Sequence, residues 1–166
     1  MLEVNATTAR TPPVFKFGEI QGWIELGESV QREAAAFAAK HFQEAKAADF
    51  CGDAVEAFDT PSWAPNRTDF LPIDALKALG FQPLPPGPGE EMVATVGIDQ
   101  HVDDIHGPVL CLVLHNDGLT FRQGKVSHAT QPGQWFVFND SANHGVKETR
   151  GDGVYLALVF PLHRID

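Results

Sequence analysis

The sequence predicts a mainly β protein with helices in its N-terminal part, built around a small β-barrel. Short apolar runs follow one another from residue 92 onward, separated by turns rich in Gly, Pro and Asn. One long stretch with helical spacing precedes them, at residues 28–51. The 166 residues, 43% hydrophobic and 20% charged, suffice to bury a core without disulfides. We expect a single domain over residues 1–166, in which residues 1–91 form helices and loops that pack on a β core at residues 92–166.

The long N-terminal element is predicted to be an amphipathic helix over residues 28–51. Its apolar residues recur at intervals of three and four and form one face that can pack on a sheet. They are Val30, Ala34, Phe37, Ala38, Phe42 and Ala45. Ser29 is suited to cap the start and Gly52 to end the helix. His41, on this helix, is expected to be partly exposed or hydrogen-bonded.

A loop, a short helix and a connector are predicted between that helix and the β core. Residues 59–70, "DTPSWAPNRTDF", contain the Pro, Asn and Asp residues of a loop. Residues 72–80, "PIDALKALG", predict a short helix, with Pro72 in its first turn and Gly80 at its end. Residues 82–91 are too rich in Pro and Gly for a regular element and indicate a connector.

The C-terminal half is predicted to consist of short strands. Their expected ranges are 92–98, 100–104, 108–115, 118–123, 126–131, 134–139, 143–148 and 154–161. "LTFRQ" alternates between apolar and polar residues, whereas "VLCLVL" and "WFVF" are apolar throughout. Turn sequences such as Asn116-Asp117-Gly118 separate these runs. We expect them to form a barrel with the helix packed against one sheet.

Composition excludes several classes of protein. With 12 basic and 22 acidic residues the formal charge is −10, which disfavours binding to a nucleic-acid backbone. The two cysteines, Cys51 and Cys111, form neither a disulfide framework nor a CxxC metal site. No run is long enough to span a bilayer, and the N-terminus lacks the apolar core of a signal peptide. We therefore expect a cytoplasmic protein with no membrane partner.

Two polar clusters could form a metal site. In "IDQHVDD", His101 and Asp103 are two residues apart, so they project from the same face of an extended strand. A further histidine, His144, begins the penultimate strand in "FNDSANHGV". Two imidazoles and one carboxylate can bind a metal and leave other positions open. The alternative is surface histidines with a turn-capping aspartate. On a continuous strand Asp99 would share this face and could orient an imidazole, whereas His106 is expected in a turn.

"HVD" followed by "NHGV" resembles the His-x-Asp…His motif of Fe(II)/2-oxoglutarate-dependent dioxygenases with the double-stranded β-helix (jelly-roll) fold. The order of the runs "VATVGIDQHVDD", "PVLCLVLHN", "LTFRQG", "HATQPGQWFVFNDSANHGV" and "GVYLALVF" also resembles that family, over residues 92–161. The resemblance implies that His101, Asp103 and His144 bind Fe(II) and that 2-oxoglutarate is the cosubstrate. It further implies hydroxylation of a C–H bond in a small molecule or a protein side chain.

The residue that would anchor 2-oxoglutarate departs from the family pattern. The family carries an Arg or Lys about ten residues beyond its second histidine, where this chain reads "GDGVYLALVF" without a base. Arg122, on an earlier strand, is the favoured replacement, with Tyr155 as a hydrogen-bonding helper. Arg150, beside a turn, is the other candidate. Arg122 could equally be a solvated residue on the outer face.

Substrate contacts and the reaction class leave alternatives open. Trp63, Asn66 and Arg67 could form a lid over the substrate, or could belong to a packed surface loop. A cupin-like metal-dependent dioxygenase or isomerase that does not use 2-oxoglutarate is the second interpretation. A non-catalytic barrel that binds a ligand or partner is the third.

Overall fold

The computed structural model describes residues 17–47, 55–83, 90–103, 107–147 and 153–165. Within these residues the chain forms two antiparallel sheets and three helices. The helices are α1 (Glu28–Ala47), α2 (Arg67–Phe70) and α3 (Ile73–Ala78). The strands are β1 (Gln21–Trp23), β2 (Val55–Phe58), β3 (Phe81–Pro83), β4 (Glu91–Thr95), β5 (Ile98–His101), β6 (Pro108–Asn116), β7 (Thr120–Gln123), β8 (Val126–His128), β9 (Gln134–Asn139), β10 (His144–Lys147) and β11 (Tyr155–Arg164).

The two sheets differ in size and face each other. The large sheet has the order β1-β9-β6-β11-β4-β2, with β3 also paired to β11, and the small sheet has the order β5-β10-β7-β8. The prediction of a mainly β fold with N-terminal helices is confirmed. The prediction of a barrel is not: among the described residues no strand of one sheet pairs with a strand of the other. The closed hydrogen-bonded ring of a barrel is therefore absent from this part of the chain.

The apolar run of β6 is explained by burial on both faces of the large sheet. Alternate residues of a strand face opposite sides. Val109, Cys111 and Val113 face the small sheet, whereas Leu110, Leu112 and Leu114 face the helical layer. We call the buried residues between the two sheets the interior cluster. It consists of Val109, Cys111, Val113, Leu119, Phe121, Phe136, Phe138, Val146, Tyr155 and Ala157.

Helix α1 covers the other face of the large sheet. Its buried residues Ala34, Ala38 and Ala45 confirm the predicted apolar face, and their small side chains allow close approach to the sheet. Ser29 lies inside the first turn, because the helix begins at Glu28, so its prediction as the cap is wrong. His41 is buried, and its Nδ1 atom has no hydrogen-bond partner, contrary to the expectation for this residue. Gly52 and Cys51 lie outside the described residues.

The sequence predicted the bounds of the central strands β6 and β9 well but missed three short strands. The predicted strand at 134–139 matches β9, and β6 differs from its prediction by one residue. Strands β1, β2 and β3 were missed, since they have only three or four residues and depend on their partners in the sheet. The predicted loop at 59–70 contains the four-residue helix α2. Most of the predicted connector, residues 84–89, lies outside the described residues.

Candidate metal centre

Strand pairing in the small sheet brings two histidines together. Strand β10 runs antiparallel to β5, and its register places His144 directly opposite His101. Their ring centroids lie 4.4 Å apart. Both side chains project from the same face of the sheet, as residues opposite each other in an antiparallel pair must.

Backbone hydrogen bonds fix Asp103 just beyond the end of β5. Its amide donates to the carbonyl oxygen of Asp140 at 2.8 Å. Asp140 is itself held by Gly107, whose amide donates to Asp140 Oδ1 and whose carbonyl accepts from the Asp140 amide, both at 2.7 Å. The backbone of Asp103 is therefore held by the turn between β9 and β10, and that turn is held in place by Gly107 at the start of β6.

The carboxylate of Asp103 lies between the two imidazoles. Its Oδ2 atom is 3.2 Å from His144 Nε2, and its Oδ1 atom is 3.6 Å from His101 Nε2. One ligand atom from each of these three residues lies within 4.8 Å of the others. The structure thus brings together the three residues that the sequence singled out.

The hydrogen bonds of the two rings determine which nitrogen atoms face the carboxylate. His101 Nδ1 lies 2.9 Å from the carbonyl oxygen of Asp99, and His144 Nδ1 lies 2.9 Å from that of Ala142. A carbonyl oxygen can only accept, so each Nδ1 atom carries the proton. In the neutral rings both Nε2 atoms then present lone pairs to Asp103. A hydrogen bond from the other ring nitrogen to a carbonyl group is the usual support of metal-binding histidines. A metal ion between the two Nε2 atoms and the Asp103 carboxylate would bind all three acceptors. The donor set fits Fe(II).

Burial divides the site into a closed side and an open side. The His144 side chain is only 7% exposed, and its ring centroid lies 5.0 Å from that of Phe138 and 6.4 Å from that of Phe121. The side chains of His101 and Asp103 are 34% and 44% exposed. Aromatic rings thus fill the inner side, and the partly exposed side chains of His101 and Asp103 form the outer side.

Strand β5 contains a bulge, so the expectation that Asp99 lies on a continuous strand with His101 is wrong. The register shifts between the pairs His144–His101 and Val146–Ile98, so β5 is not a continuous extended strand there. The carbonyl group of Asp99, rather than its carboxylate, orients the His101 ring. Gly145 permits this arrangement, because a Cβ atom at that position would lie 2.7 Å from the carbonyl oxygen of Ile98. Sequence reasoning missed Gly145, which lets the backbones of β5 and β10 approach, and Ala142, whose carbonyl group orients the His144 ring.

Of the predicted cosubstrate residues, the structure describes Arg122 and Tyr155. Phe121 points into the interior cluster, so its neighbour Arg122 projects from the opposite face of β7. This placement matches the solvated alternative for Arg122. Arg150 lies outside the described residues, as do Asp104 and His106. The anchor of an anionic cosubstrate stays a prediction.

Tyr155 is buried in the interior cluster, where its hydroxyl contacts the side chains of Thr130 and Cys111. Its hydroxyl lies 2.6 Å from Thr130 Oγ1, and Phe121 stands between Tyr155 and His144, with ring centroids 6.4 Å from each. Burial raises the pKa of the Tyr155 hydroxyl well above its ordinary value. Burial likewise raises the pKa of the Cys111 thiol, which also contacts Tyr155. Both groups are therefore neutral hydrogen-bonding groups at physiological pH.

Two of the predicted lid residues, Trp63 and Arg67, lie on the other face of the large sheet from His144. Arg67 forms an ion pair with Glu90 at 2.5 Å and stacks over Phe160, whose ring centroid is 5.7 Å from the guanidinium carbon. Phe160 and Trp63 pack in the helical layer, whereas the metal centre adjoins the interior cluster. Asn66 is exposed and immediately precedes Arg67. Their role in substrate binding stays a prediction.

The remaining histidines have other surroundings. His115 lies on β6, and its Nε2 atom is 2.8 Å from Asp117 Oδ1. His128 packs edge-on against Phe17 with a centroid distance of 4.7 Å, and His163 is exposed. Among the described residues, only His101, Asp103 and His144 form a group of three or more side chains that could hold a metal ion.

Comparisons with known proteins give low similarity. No protein-family model matches the chain, and a search of curated proteins finds no match. One similar solved structure is a prolyl-4-hydroxylase of Pseudomonas putida, with 18% identity, a TM-score of 0.40 and coverage of 100% of both chains. Another, from Ralstonia eutropha JMP134, is provisionally assigned as a mannose-6-phosphate isomerase. It has 18% identity and a TM-score of 0.35, with coverage of 52% of this chain and 83% of that one.

No helix in the described part of the chain is long and apolar enough to cross a membrane.

Proposed function

We propose that this chain is a mononuclear non-haem Fe(II) oxygenase that uses 2-oxoglutarate to hydroxylate a C–H bond of a small molecule or a protein side chain. The observation that carries the proposal is the convergence of His101, Asp103 and His144, whose ligand atoms lie within 4.8 Å of one another. Two imidazoles and one carboxylate with open positions are the donor set of non-haem Fe(II) oxygenases.

Each residue has a defined task in this proposal. His101 and His144 would bind Fe(II) through Nε2, and the carbonyl groups of Asp99 and Ala142 hold the rings in that orientation. Asp103 supplies the single negative charge, so the bound centre stays positive and attracts an anionic cosubstrate. Bound Fe(II) would supply the coordination of dioxygen and the oxidation chemistry. Phe121 and Phe138 exclude water from the inner side of His144.

The order of the strands supports the finer proposal that the fold is a double-stranded β-helix. From β4 to β11 the chain passes back and forth between the two sheets. Strands β4, β6, β9 and β11 belong to the large sheet, and strands β5, β7, β8 and β10 belong to the small sheet. That winding places β4 beside β11 and β5 beside β10. It also brings the strand that ends at His101 next to the strand that begins at His144.

One observation favours a second candidate, an Fe(II) enzyme that does not use 2-oxoglutarate. None of the Lys and Arg side chains that the structure describes belongs to the interior cluster, which is packed with Phe121, Phe136 and Phe138. A carboxylate buried there without a cation would be costly. A cupin-like dioxygenase or isomerase has no such requirement. A non-catalytic binding module is the outcome that remains if Fe(II) does not bind.

An anaerobic absorption titration tests the proposal. Fe(II) is added to metal-free protein, followed by 2-oxoglutarate, and the weak visible charge-transfer band of a chelated keto acid is monitored. We expect a saturable band in the wild type and in Asp99→Ala, since the backbone carbonyl that orients His101 remains. Asp103→Ala should show no band. Fe(II) binding without a band would favour the second candidate, and absence of Fe(II) binding would reject both.

Two variants test the cosubstrate anchor in the same titration. Arg122→Ala is expected to leave the affinity for 2-oxoglutarate near the wild-type value, because the side chain projects away from the interior cluster. Arg150→Ala is the comparison. A loss of affinity in Arg122→Ala with unchanged Fe(II) binding would instead establish Arg122 as the anchor.

A further inference from the structure

The large sheet extends beyond the small sheet on the side of β2 and β4. Strand β5 is the last described strand of the small sheet on that side, and it follows β4 after a short turn. At the opposite side, His128 of β8 packs on Phe17, which also contacts Phe136 of β9. The small sheet therefore covers the region from β9 to β11 and leaves part of β4 and β2 uncovered.

Burial along one row of paired residues marks where this cover ends. Ala57, Val93, Ala157 and Val113 lie side by side on β2, β4, β11 and β6 and face the same side. Ala157 and Val113 are fully buried, Val93 is half-buried and Ala57 is exposed. The neighbouring row shows the same change, with Cys111 buried and both Val159 and Glu91 half-buried.

We call the exposed and half-buried residues on this part of the face the shelf: Val55, Ala57, Glu91, Val93 and Val159. The shelf lies on the same side of the sandwich as β5, the end strand of the small sheet, which follows β4 after a short turn and ends at His101. Asp103 and the exposed Val102 follow on the same segment. A molecule lying on the shelf would therefore approach the partly exposed side chains of His101 and Asp103 from the side of β5.

The chemistry of the shelf selects one class of ligand. Its floor is aliphatic, formed by valine and alanine side chains. Its charged group is the carboxylate of Glu91. None of the described side chains in these rows of β2, β4 and β11 is a Lys or Arg. Aliphatic groups bury area on such a floor, and a cation would be attracted by the Glu91 carboxylate.

We propose that the shelf is the substrate subsite and that it binds an aliphatic chain carrying a cationic group, of the alkylammonium class. The ammonium group pairs with Glu91, and the methylene groups lie on Val93 and Val159 beside the metal centre. The assignment as a substrate subsite rests on the proposed oxygenase function. The binding of the ligand class rests on the shelf alone.

Ligand-observed NMR with metal-free full-length protein tests the ligand class. Hexylammonium is the probe, and hexanoate and butylammonium are the comparisons. We expect hexylammonium to bind, hexanoate to bind at least about fivefold more weakly because its charge is repelled, and each methylene removed to cost about twofold in affinity. Equal binding of hexanoate, or no binding of hexylammonium, would overturn the proposal.

Matched variants locate the binding. Glu91→Gln should weaken hexylammonium binding about fivefold. Glu56→Gln, the same change on the neighbouring strand but on the opposite face, should not alter it. Ala57→Trp, at an exposed position, should fill the shelf and abolish binding. Equal affinity in Glu91→Gln and Glu56→Gln overturns the proposal, as does a sedimentation measurement showing that a second copy of the chain covers the shelf.

A paramagnetic measurement separates this proposal from the proposed function. With Co(II) at the metal centre, the protons of bound hexylammonium should relax faster than with Zn(II), and Asp103→Ala should remove the difference. If the protein binds hexylammonium through Glu91 but no metal, the ligand class stands and the oxygenase proposal fails. If Fe(II) and 2-oxoglutarate bind but hexylammonium does not, the shelf proposal fails alone.

Discussion

His101 and His144 are register partners on β5 and β10, with ring centroids 4.4 Å apart. Each donates its Nδ1 proton to a carbonyl group two residues earlier in the chain. This repeated arrangement aims both Nε2 atoms at Asp103 and prepares the site for a cation. The register between β5 and β10 thus brings the two imidazoles of the site together.

Replacing a metal-site histidine should abolish tight metal binding. His144→Ala is expected to weaken Fe(II) binding more than about 100-fold, which exceeds the loss when only a supporting group is removed. Competition with a chromophoric chelator under anaerobic conditions measures it. His115→Ala is the matched control, because His115 pairs with Asp117 and lies outside the triad. Equal losses in both variants would argue against the triad as the metal centre.

Gly145→Ala should impair the metal centre through the backbone. The new Cβ atom would lie 2.7 Å from Ile98 O and 3.0 Å from the carbonyl group of Asp99, so β5 must move away from β10. We expect a loss of about 1–3 kcal/mol in the free energy of unfolding and at least about tenfold in Fe(II) affinity. Urea denaturation and the chelator competition measure the two effects.

Gly27→Ala provides the control for that substitution. A Cβ atom at Gly27 has no heavy atom within 4 Å, so the Fe(II) affinity should match that of the wild type. Gly27 directly precedes α1, where alanine caps a helix less well than glycine, so the free energy of unfolding should fall by less than about 1 kcal/mol. Wild-type Fe(II) affinity in Gly145→Ala would show that the spacing of β5 and β10 is not critical for the site.

The buried pair Tyr155–Thr130 should act as a unit. Tyr155→Phe leaves Thr130 Oγ1 without the partner of its 2.6 Å hydrogen bond, and Thr130→Val leaves the Tyr155 hydroxyl with the weaker Cys111 thiol. Each change is expected to cost about 1–3 kcal/mol in the free energy of unfolding. The double variant removes both partners and should cost less than the sum, which urea denaturation of all four proteins can establish. A loss of 2-oxoglutarate affinity in Tyr155→Phe but not in Thr130→Val would support the predicted contact between Tyr155 and the cosubstrate.

Stability should fall at alkaline pH because of Cys111. Burial raises the pKa of this thiol in the folded protein, whereas in the unfolded chain it ionises near its ordinary value of about 8.5. Above that pH the unfolded state loses a proton that the folded state keeps. The free energy of unfolding should then fall by up to about 1.4 kcal/mol per pH unit, and Tyr155 adds to this above about pH 10.

Denaturation between pH 7 and pH 10 in a Cys51→Ser background measures this dependence. Cys111→Ala should remove the component between about pH 8.5 and pH 10. A thiol reagent should leave Cys111 unmodified until the protein unfolds. Rapid modification of the folded protein, or an unchanged pH dependence in Cys111→Ala, would contradict the burial of this thiol.

Strand β6, strand β2 and Arg67 show which features of the structure could be predicted from the sequence. The apolar run in β6 predicted a strand buried on both faces, which its alternating contacts with the two layers confirm. Strand β2 was missed, because its four residues have a strand conformation only through pairing with β4. Arg67 was predicted near the substrate on residue type alone, and the structure places it in an ion pair with Glu90 and over Phe160.

The sequence by itself determined the strand-rich core and the three residues that converge, since alternation along a strand and short motifs are local properties. The tertiary structure decided the bulge in β5, the carbonyl groups that orient the two rings, and the face of the large sheet on which each loop lies. It also decided where the small sheet ends and the shelf begins. Those features depend on register and on the overlay of two sheets, which arise from contacts between residues far apart in the chain.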